Sequence, residues 1–367
     1  MASPLGFTPT ARTYTAELAM DLVNSALDDL GPGKLEVVLT HAGYHILDRL
    51  IPDRVEETSG TGLSEAIQLE AGGNARFVSI GEADQVGISD NTSRWRMDWR
   101  YLSTYYAFYL QEEAMNSGPA KLFDLVESRR NAEIIGFADT AENAFWTYPT
   151  DPDAKDFWGI PAFVCKATAA TSGGFYGGRP DGGTLWSSVA GIVPCTSGDG
   201  ASTIAGGERN WRNYCATWSA MDETLMKRIS RAMLKTRFEA PQLTNLRESM
   251  SKSDLRIFTG TETLVDMRSM ARKNNDNLGA DLLAFEGNTL INRSPVIHVD
   301  QLDGDTSYPI YGINLDKWKF RVLRGWNIRE SKASKMANNH NGVVVFIDLA
   351  ANLACFNRKT QWVINQV

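Results

Sequence analysis

Arg94-Trp95-Arg96-Met97-Asp98-Trp99-Arg100 alternates strictly between charged and large apolar side chains. Successive side chains of a strand point to opposite faces, so this stretch predicts a strand with one apolar ribbon and one charged ribbon. Upstream, Leu63 to Ile80 is a second extended candidate, and Gly81 to Ser93 between them is a polar tip rich in Gly, Asp, Asn and Ser. Together they predict one long hairpin. Downstream, Ser117-Gly118-Pro119 opens a helix that meets no further proline until Pro149. Its expected span, Pro119 to Tyr148, carries Phe123, Val126, Ile134, Phe137, Ala141 and Phe145 on one face, broken only by Arg130. Such a helix is about 45 Å long, well beyond the usual globular length. A hairpin of this length has too little apolar surface to stand alone, so its ribbon must lie on something else, another copy of the chain being one candidate.

Outward from this centre, Tyr14 to Leu30 shows a helical stripe (Leu18, Leu22, Val23, Ala26, Leu27) that stops at Gly31-Pro32-Gly33. Lys34 to Ile51 is apolar-rich, helical in its latter half and ended by Pro52. Periodicity disappears from Asp151 to Asn210, where glycine clusters mark loops pinned by Phe157, Trp158 and Trp186. It returns as a helix over Met221 to Phe238, a strand over Leu255 to Phe258 and a helix over Thr261 to Arg272. Strands follow at Thr289 to Ile291, Pro295 to Val299, Val343 to Ile347, Leu353 to Phe356 and Trp362 to Ile364. Elements of both kinds are mixed in order and no repeat is visible, so the fold class is α+β.

Composition excludes several functions. The chain has 367 residues, 43% hydrophobic and 22% charged, enough for a well-buried core in two domains. A net charge of −7 argues against a dedicated nucleic-acid-binding protein, which needs a basic footprint. No apolar run approaches the roughly 18 residues of a membrane span, and Met1 to Phe7 lacks the basic start and apolar core of a signal peptide. Cys165, Cys195, Cys215 and Cys355 form no CxxC pair and are expected as reduced thiols in a soluble protein.

A search for chemistry returns little. His41 and His45, at i and i+4 with Asp48 beyond, share a helix face that a metal could use, but they lack the glutamate of an HExxH site and a fourth ligand; packing is the better reading. His298 and His340 have no spacing that suggests a triad. Gly173 to Gly183 lacks the Lys-Ser/Thr ending of a phosphate loop. Asp300, Asp303 and Asp305 around Gly304 lack the spacing and terminal glutamate of a calcium loop, so a solvated turn is expected. Asn91-Thr92-Ser93 and Asn292-Arg293-Ser294 match a glycosylation pattern that is empty without export. Arg129-Arg130 sits mid-helix, either on a solvated face or in an inter-subunit ion pair. The ten tryptophans are dispersed, which favours packing and interfaces over a sugar-binding surface. No catalytic residue, cofactor site or metal site is assigned.

The order of elements resembles the tailed-bacteriophage major capsid proteins of the Hong Kong 97 type. Local wording supports it: Asn116-Ser117-Gly118 before Leu122-Phe123-Asp124-Leu125, Phe145-Trp146 at the helix end, Ile257-Phe258-Thr259-Gly260, Tyr308-Pro309-Ile310-Tyr311-Gly312-Ile313, and Asn352 to Arg358. None is specific alone; their order spans nearly the whole chain. The resemblance implies an N-terminal arm (1–59), an extended hairpin loop (60–110), a peripheral domain (111–254) with a spine helix (119–148), an axial domain (255–329) and closing strands (330–367). It further implies self-assembly into pentamers and hexamers of an icosahedral virion shell enclosing double-stranded DNA with weak, non-specific contact. Assembly would take place in the host cytoplasm, with a separate scaffolding protein, a portal and decoration proteins as partners and no membrane.

Subunit-interface candidates are Arg94, Trp95, Arg96, Met97 and Trp99 of the hairpin, with Arg129 and Arg130 of the helix. An apolar ribbon laid across a neighbour gains roughly 25 cal/mol per Å² of buried apolar area. The type member of the family crosslinks through a lysine in its extended loop, whereas this chain has no lysine between Lys34 and Lys121. That chemistry is therefore not carried over. An encapsulin-like nanocompartment shell shares the fold expectation. A carbohydrate-active enzyme is the alternative of a different class, and it lacks a placed pair of carboxylates.

Overall fold

The computed structural model describes residues 43–69, 76–79, 92–109, 111–112, 119–180, 184–194, 208, 210–236, 254–273, 289–292, 294–337 and 339–367. The helix expected over Tyr14 to Leu30, the hairpin tip over 81–91, His41 and Cys195 lie outside these residues.

Helix α1 (His45–Leu50) is the helical end expected before Pro52, and it buries Ile46, Leu47 and Leu50. Strands β1 (Val55–Glu57), β2 (Gly62–Gln68), β3 (Thr92–Asp98) and β4 (Arg100–Tyr109) follow. The β2–β3 hairpin is antiparallel, with Leu63 opposite Met97, Glu65 opposite Trp95 and Ala66 opposite Arg94. The strand expected from Leu63 to Ile80 ends at Gln68, and 76–79 is not a strand. Beyond Gln68 the sequence runs into Gly72-Gly73-Asn74, residues that pack poorly on a pleated surface. Helix α2 (Pro119–Trp146) is 28 residues long, hence about 42 Å. It stops two residues short of the expected Tyr148 because Pro149 disfavours a helical conformation in the residue before it.

The chain divides into two compact units. The smaller contains 102–139 and 325–349. Here β4 and β14 (Asn339–Cys355) pair, and the short β12 (Arg329–Glu330) and β13 (Ser334–Met336) pair antiparallel with β14. Val126, Arg130, Ile134, Phe137 and Ala138 of α2 are buried, the i, i+4, i+8 stripe read from the sequence with Arg130 included rather than interrupting it.

The larger unit contains 42–101, 140–324 and 350–367. Its centre is a seven-stranded mixed sheet in the order β5-β6-β15-β10-β7-β9-β8. These strands are β5 (Gly174–Gly177), β6 (Asn213–Trp218), β7 (Leu255–Thr259), β8 (Thr289–Ile291), β9 (Ser294–His298), β10 (Ile310–Asn314) and β15 (Trp362–Gln366). Strand β15 lies parallel to β6 and antiparallel to β10, so the last strand of the chain is central. The remaining helices are α3 (Ile160–Phe163), α4 (Glu223–Thr236) and α5 (Thr261–Lys273). Leu225, Ile229 and Met233 of α4 and Leu264 and Met267 of α5 pack with Tyr214, Ile257, Ile310, Trp362 and Ile364 of the sheet in one core. The last turn of α2 brings aromatic rings together: Phe145 stacks on Phe157 at 5.8 Å, and Trp146 meets Phe258 edge-on at 5.1 Å. Strand β11 (Trp318–Leu323) pairs with the end of β14 on one side and with β1 on the other. Among the described residues no helix is long and apolar enough to cross a membrane.

Two details were not legible locally. The strands expected separately at Val343 to Ile347 and Leu353 to Phe356 are one 17-residue strand, β14. Ala350, Ala351 and Asn352 are poor strand formers, but tertiary contacts hold them extended. The buried Asn352 accepts from the Trp158 N–H (3.2 Å) and donates to the Asp98 carbonyl (3.0 Å). The glycine-rich segment at 173–178 packs directly on β6. A Cβ at Gly177 would lie 2.1 Å from Asn213 Oδ1, and one at Gly173, where φ is +119°, 2.2 Å from the Tyr214 hydroxyl.

Gly312 shows the same close approach at the sheet centre, since a Cβ there would stand 1.8 Å from Cε2 of the buried Trp362. Gly312→Ala is therefore expected to force Trp362 aside and lower unfolding free energy by about 1–3 kcal/mol. Urea denaturation followed by tryptophan fluorescence reads this, and an unchanged midpoint would contradict the packing described.

Candidate assembly surfaces

The hairpin does not leave its apolar ribbon open. Trp95, Met97 and Trp99 are all buried within their own chain. Trp95 lies 5.6 Å from the Phe356 ring, and Trp99 Nε1 donates to the Gly60 carbonyl at 3.0 Å. The backbone N–H of Arg96 donates to the Ala190 carbonyl at 2.8 Å, closing the outer edge of β3 with a tight turn. That turn runs through Ala190 and Gly191, both at positive φ, and Val189 bridges to Ile192. Arg321 of β11 ties the other strand by pairing with Glu65 and Glu57, its guanidinium 5.1 Å from the Phe356 ring. Asn210 donates to the Leu69 carbonyl at 2.7 Å.

These contacts give Trp95, Met97 and Trp99, expected at a subunit interface, cover within their own chain. The ribbon needs cover, as its sequence implied, and the cover is the chain's own body. What remains outward is the charged ribbon. Arg94 and Arg96 stand exposed on one face of β3, and among the described residues neither guanidinium has a partner.

Arg129 and Arg130 are also engaged within the chain. Arg130 is buried and forms a bidentate pair with Glu330 of β12, at 2.6 Å (Nε) and 3.2 Å (Nη2). Arg129 donates to the Ala107 carbonyl at 2.6 Å and to Glu112 at 2.8 Å, and its guanidinium lies 5.4 Å from the centre of the Phe108 ring. The Arg129 hydrogen bond holds the Glu112 carboxyl below its ordinary pKa. Both guanidiniums thus have acidic partners within the chain, Arg130 buried and Arg129 partly exposed. Sequence reading missed this because Glu330 lies 200 positions away.

On the opposite face of the same small sheet, alternate residues are exposed. Tyr106 and Phe108 of β4 are buried, whereas the alternate residues Tyr105 and Tyr109 are 57% and 44% exposed. Tyr105 lies 6.1 Å from Phe346 of β14, itself 40% exposed, and Ser103 beside it donates to Asp348 at 2.6 Å.

The groups that first suggested chemistry have structural work. Burial lowers the pKa of His45, whose ring lies 6.4 Å from Phe258. Asp48 is exposed on α1. The expected solvated turn at Asp300 to Asp305 is more connected than that. Asp303 accepts from the Thr261 N–H at 2.6 Å and its hydroxyl at 2.8 Å, holding the start of α5. Asp305 pairs with Lys166 and accepts from Ser307. His298 stands 3.3 Å from Asp300 and 3.4 Å from Asp303. One carboxylate of that group is thus committed to a helix terminus rather than held ready for a cation. Burial pushes the Cys215 and Cys355 thiols up to about 12, so both are inert at neutral pH. Cys165 is buried as well.

No protein-family model matches the sequence, and no curated protein matches it. Solved structures do. The chain is similar to the "Cyanophage A-1(L) capsid asymmetric unit" at a TM-score of 0.51 and 12% identity, covering 85% of this chain and 89% of that one. The "Capsid of native GTA particle" follows at a TM-score of 0.49 and 13% identity, over 84% of this chain and 86% of that one. "The capsid of Myoviridae Phage XM1" has a TM-score of 0.48 and 11% identity, over 90% and 92%. The mixed sheets, the long α2 and the coverage of nearly the whole chain agree on one architecture: this chain has the Hong Kong 97-type capsid fold.

Proposed function

We propose that the chain is the major shell protein of a tailed-phage head, assembling as pentamers and hexamers into an icosahedral capsid around double-stranded DNA. The observation that carries the reading is the fold match to a phage capsid subunit over 85% of this chain and 89% of that one. In this reading 1–59 is the N-terminal arm, β2 and β3 belong to the extended loop and α2 is the spine helix. The 255–329 segment supplies the axial domain and 330–367 the closing strands of the peripheral domain. The sheet built around β7, β9 and β10 also takes in β5, β6 and β15, so these domains share strands rather than standing apart. The chain acts without catalysis or cofactor, through surfaces alone. A separate scaffolding protein, a portal and decoration proteins complete the virion, assembled in the host cytoplasm. An acidic shell is compatible with packaging, because tight phosphate binding would hinder movement of the genome.

Size-exclusion chromatography with light scattering tests the reading. Capsomers or megadalton particles are expected, and a stable one- or two-chain species at every concentration would contradict it. With no lysine between Lys34 and Lys121, particles boiled in detergent are expected to run as single chains of 40.5 kDa. A ladder of multimers under reducing conditions would reveal a covalent link elsewhere.

A further inference from the structure

Helix α4 turns a line of cations outward. Leu225, Ile229, Ala232 and Met233 are buried against the sheet, so the helix is anchored along one face. On the other face Lys227, Arg231 and Lys235 recur at every fourth position, and all are exposed. They stand about 6 Å apart along the axis, a single row of positive charge. Half-buried Arg228 lies beside them, its guanidinium donating to the Thr217 carbonyl. From Thr224 to Thr236 the helix carries no acidic residue.

This concentration runs against the rest of the chain, whose net charge is −7. Elsewhere Arg49, Arg129, Arg130, Arg256 and Arg321 each pair with a carboxylate. On α4 only Lys227 does so among the described residues, with Glu223 one turn earlier at 2.9 Å, and both side chains are largely exposed. So exposed a pair contributes little, and its lysine stays available to another anion. The chemistry of the face selects the class of partner. A docked protein needs an apolar seam repeated at i, i+3 and i+4. Leu234 is the single large apolar side chain that α4 exposes, and one such residue is ordinary on a surface. Evenly spaced cations without a seam suit instead a polyanion with regularly spaced charges, as a nucleic-acid backbone has.

We infer that the Lys227–Arg231–Lys235 row binds the phosphate backbone of double-stranded DNA and lies on the inner wall of the shell. The inference rests on the shell reading above and gives it a genome-facing surface. So few cations neutralise few phosphates, so the contact is weak, salt-sensitive and independent of base sequence. That strength holds DNA near the wall without resisting its movement.

Fluorescence anisotropy of a labelled random-sequence duplex, titrated with the full-length chain over a range of salt concentrations, tests the contact. Lys227→Gln/Arg231→Gln/Lys235→Gln is expected to weaken binding roughly tenfold or more at low salt, and to flatten log affinity against log salt by about 2–3 in slope. Arg94→Gln/Arg96→Gln, which removes exposed cations elsewhere, should keep nearly the wild-type slope. A wild type that does not bind the duplex, an unchanged slope in the triple variant, or equal losses in the two variants overturns the inference. So does a polyglutamate probe that binds as tightly through the same residues, because the partner is then an acidic polypeptide. Should the triple variant unfold, Arg231→Gln and Lys235→Gln singly give the same readout, each lowering the slope by about 1. The placement is read on assembled particles with an amine-reactive ester tethered to a dextran too large to pass the shell. Mass spectrometry is expected to find Lys227 and Lys235 unmodified in closed particles and modified once these are opened. Modification in closed particles overturns the inference and leaves the shell reading standing. A wild-type chain that never assembles removes the shell reading, and the inner-wall placement with it.

Discussion

Arg358→Met is expected to lower the unfolding free energy by about 3–5 kcal/mol, an exceptional effect for one side chain. Arg358 is fully buried in the turn between β14 and β15, and burial lowers its pKa. Its donors reach backbone carbonyls from three separate segments: Phe163 at 2.7 Å, Trp211 at 2.9 Å and Gly178 at 2.8 Å. Gly177 (3.3 Å) and Cys165 Sγ (3.3 Å) complete the set. A guanidinium suits this place because its planar fork directs several N–H groups outward at once. Methionine fills much of the volume but leaves those carbonyls without donors, at roughly 1–3 kcal/mol each where no water enters. Arg358→Lys keeps the charge but not the fork, so an intermediate loss is expected. Equilibrium urea unfolding of the three proteins gives the ranking, and a methionine variant as stable as wild type would sink the clamp.

Glu142→Ala should cost about 3 kcal/mol or more, since several buried donors lose their acceptor together. The Glu142 side chain is buried near the end of α2 and accepts from Ile46 N–H and Leu47 N–H at 3.1 Å each and from Trp146 Nε1 at 2.9 Å. It thereby caps α1, whose own cap position, Tyr44, makes no side-chain capping bond. Removing it orphans all of these N–H groups in a closed environment.

The pH dependence has a definite sign. Burial pushes the Glu142 carboxyl above its ordinary value, against the donors that pull it down. The native state then holds a proton that the unfolded chain has already lost, so this group's contribution is full below about pH 4 and is lost as pH rises through the raised value. The stability gap between wild type and Glu142→Gln should accordingly shrink as pH rises. A gap that widens would place the pKa shift in the opposite direction.

Periodicity made the long elements legible. The spacing of Val126, Ile134, Phe137, Ala141 and Phe145 fixes α2 and its buried face, and strict alternation from Arg94 to Arg100 fixes β3 with the correct residues inward. What covers those faces was not legible, because the covering residues are remote. Phe356 lies far from Trp95 in sequence, and Glu330 from Arg130. A local reading therefore placed the tryptophans, Arg129 and Arg130 at a subunit interface without the partners they have inside the chain. Arg358 was passed over for a related reason: its partners are backbone carbonyls, which no side-chain motif announces. The aromatic face was missed as well. Tyr101, Tyr105 and Tyr109 recur at every fourth position of β4, and that even spacing was the available signal.

Assembly is the property on which the whole reading depends. Cryo-electron microscopy of the purified chain, expressed alone and together with the products of its neighbouring genes, measures it directly. The expected result is closed shells built of fivefold and sixfold capsomers, each subunit fitting the two units described above. A chain that stays monomeric or dimeric in both preparations would contradict the account.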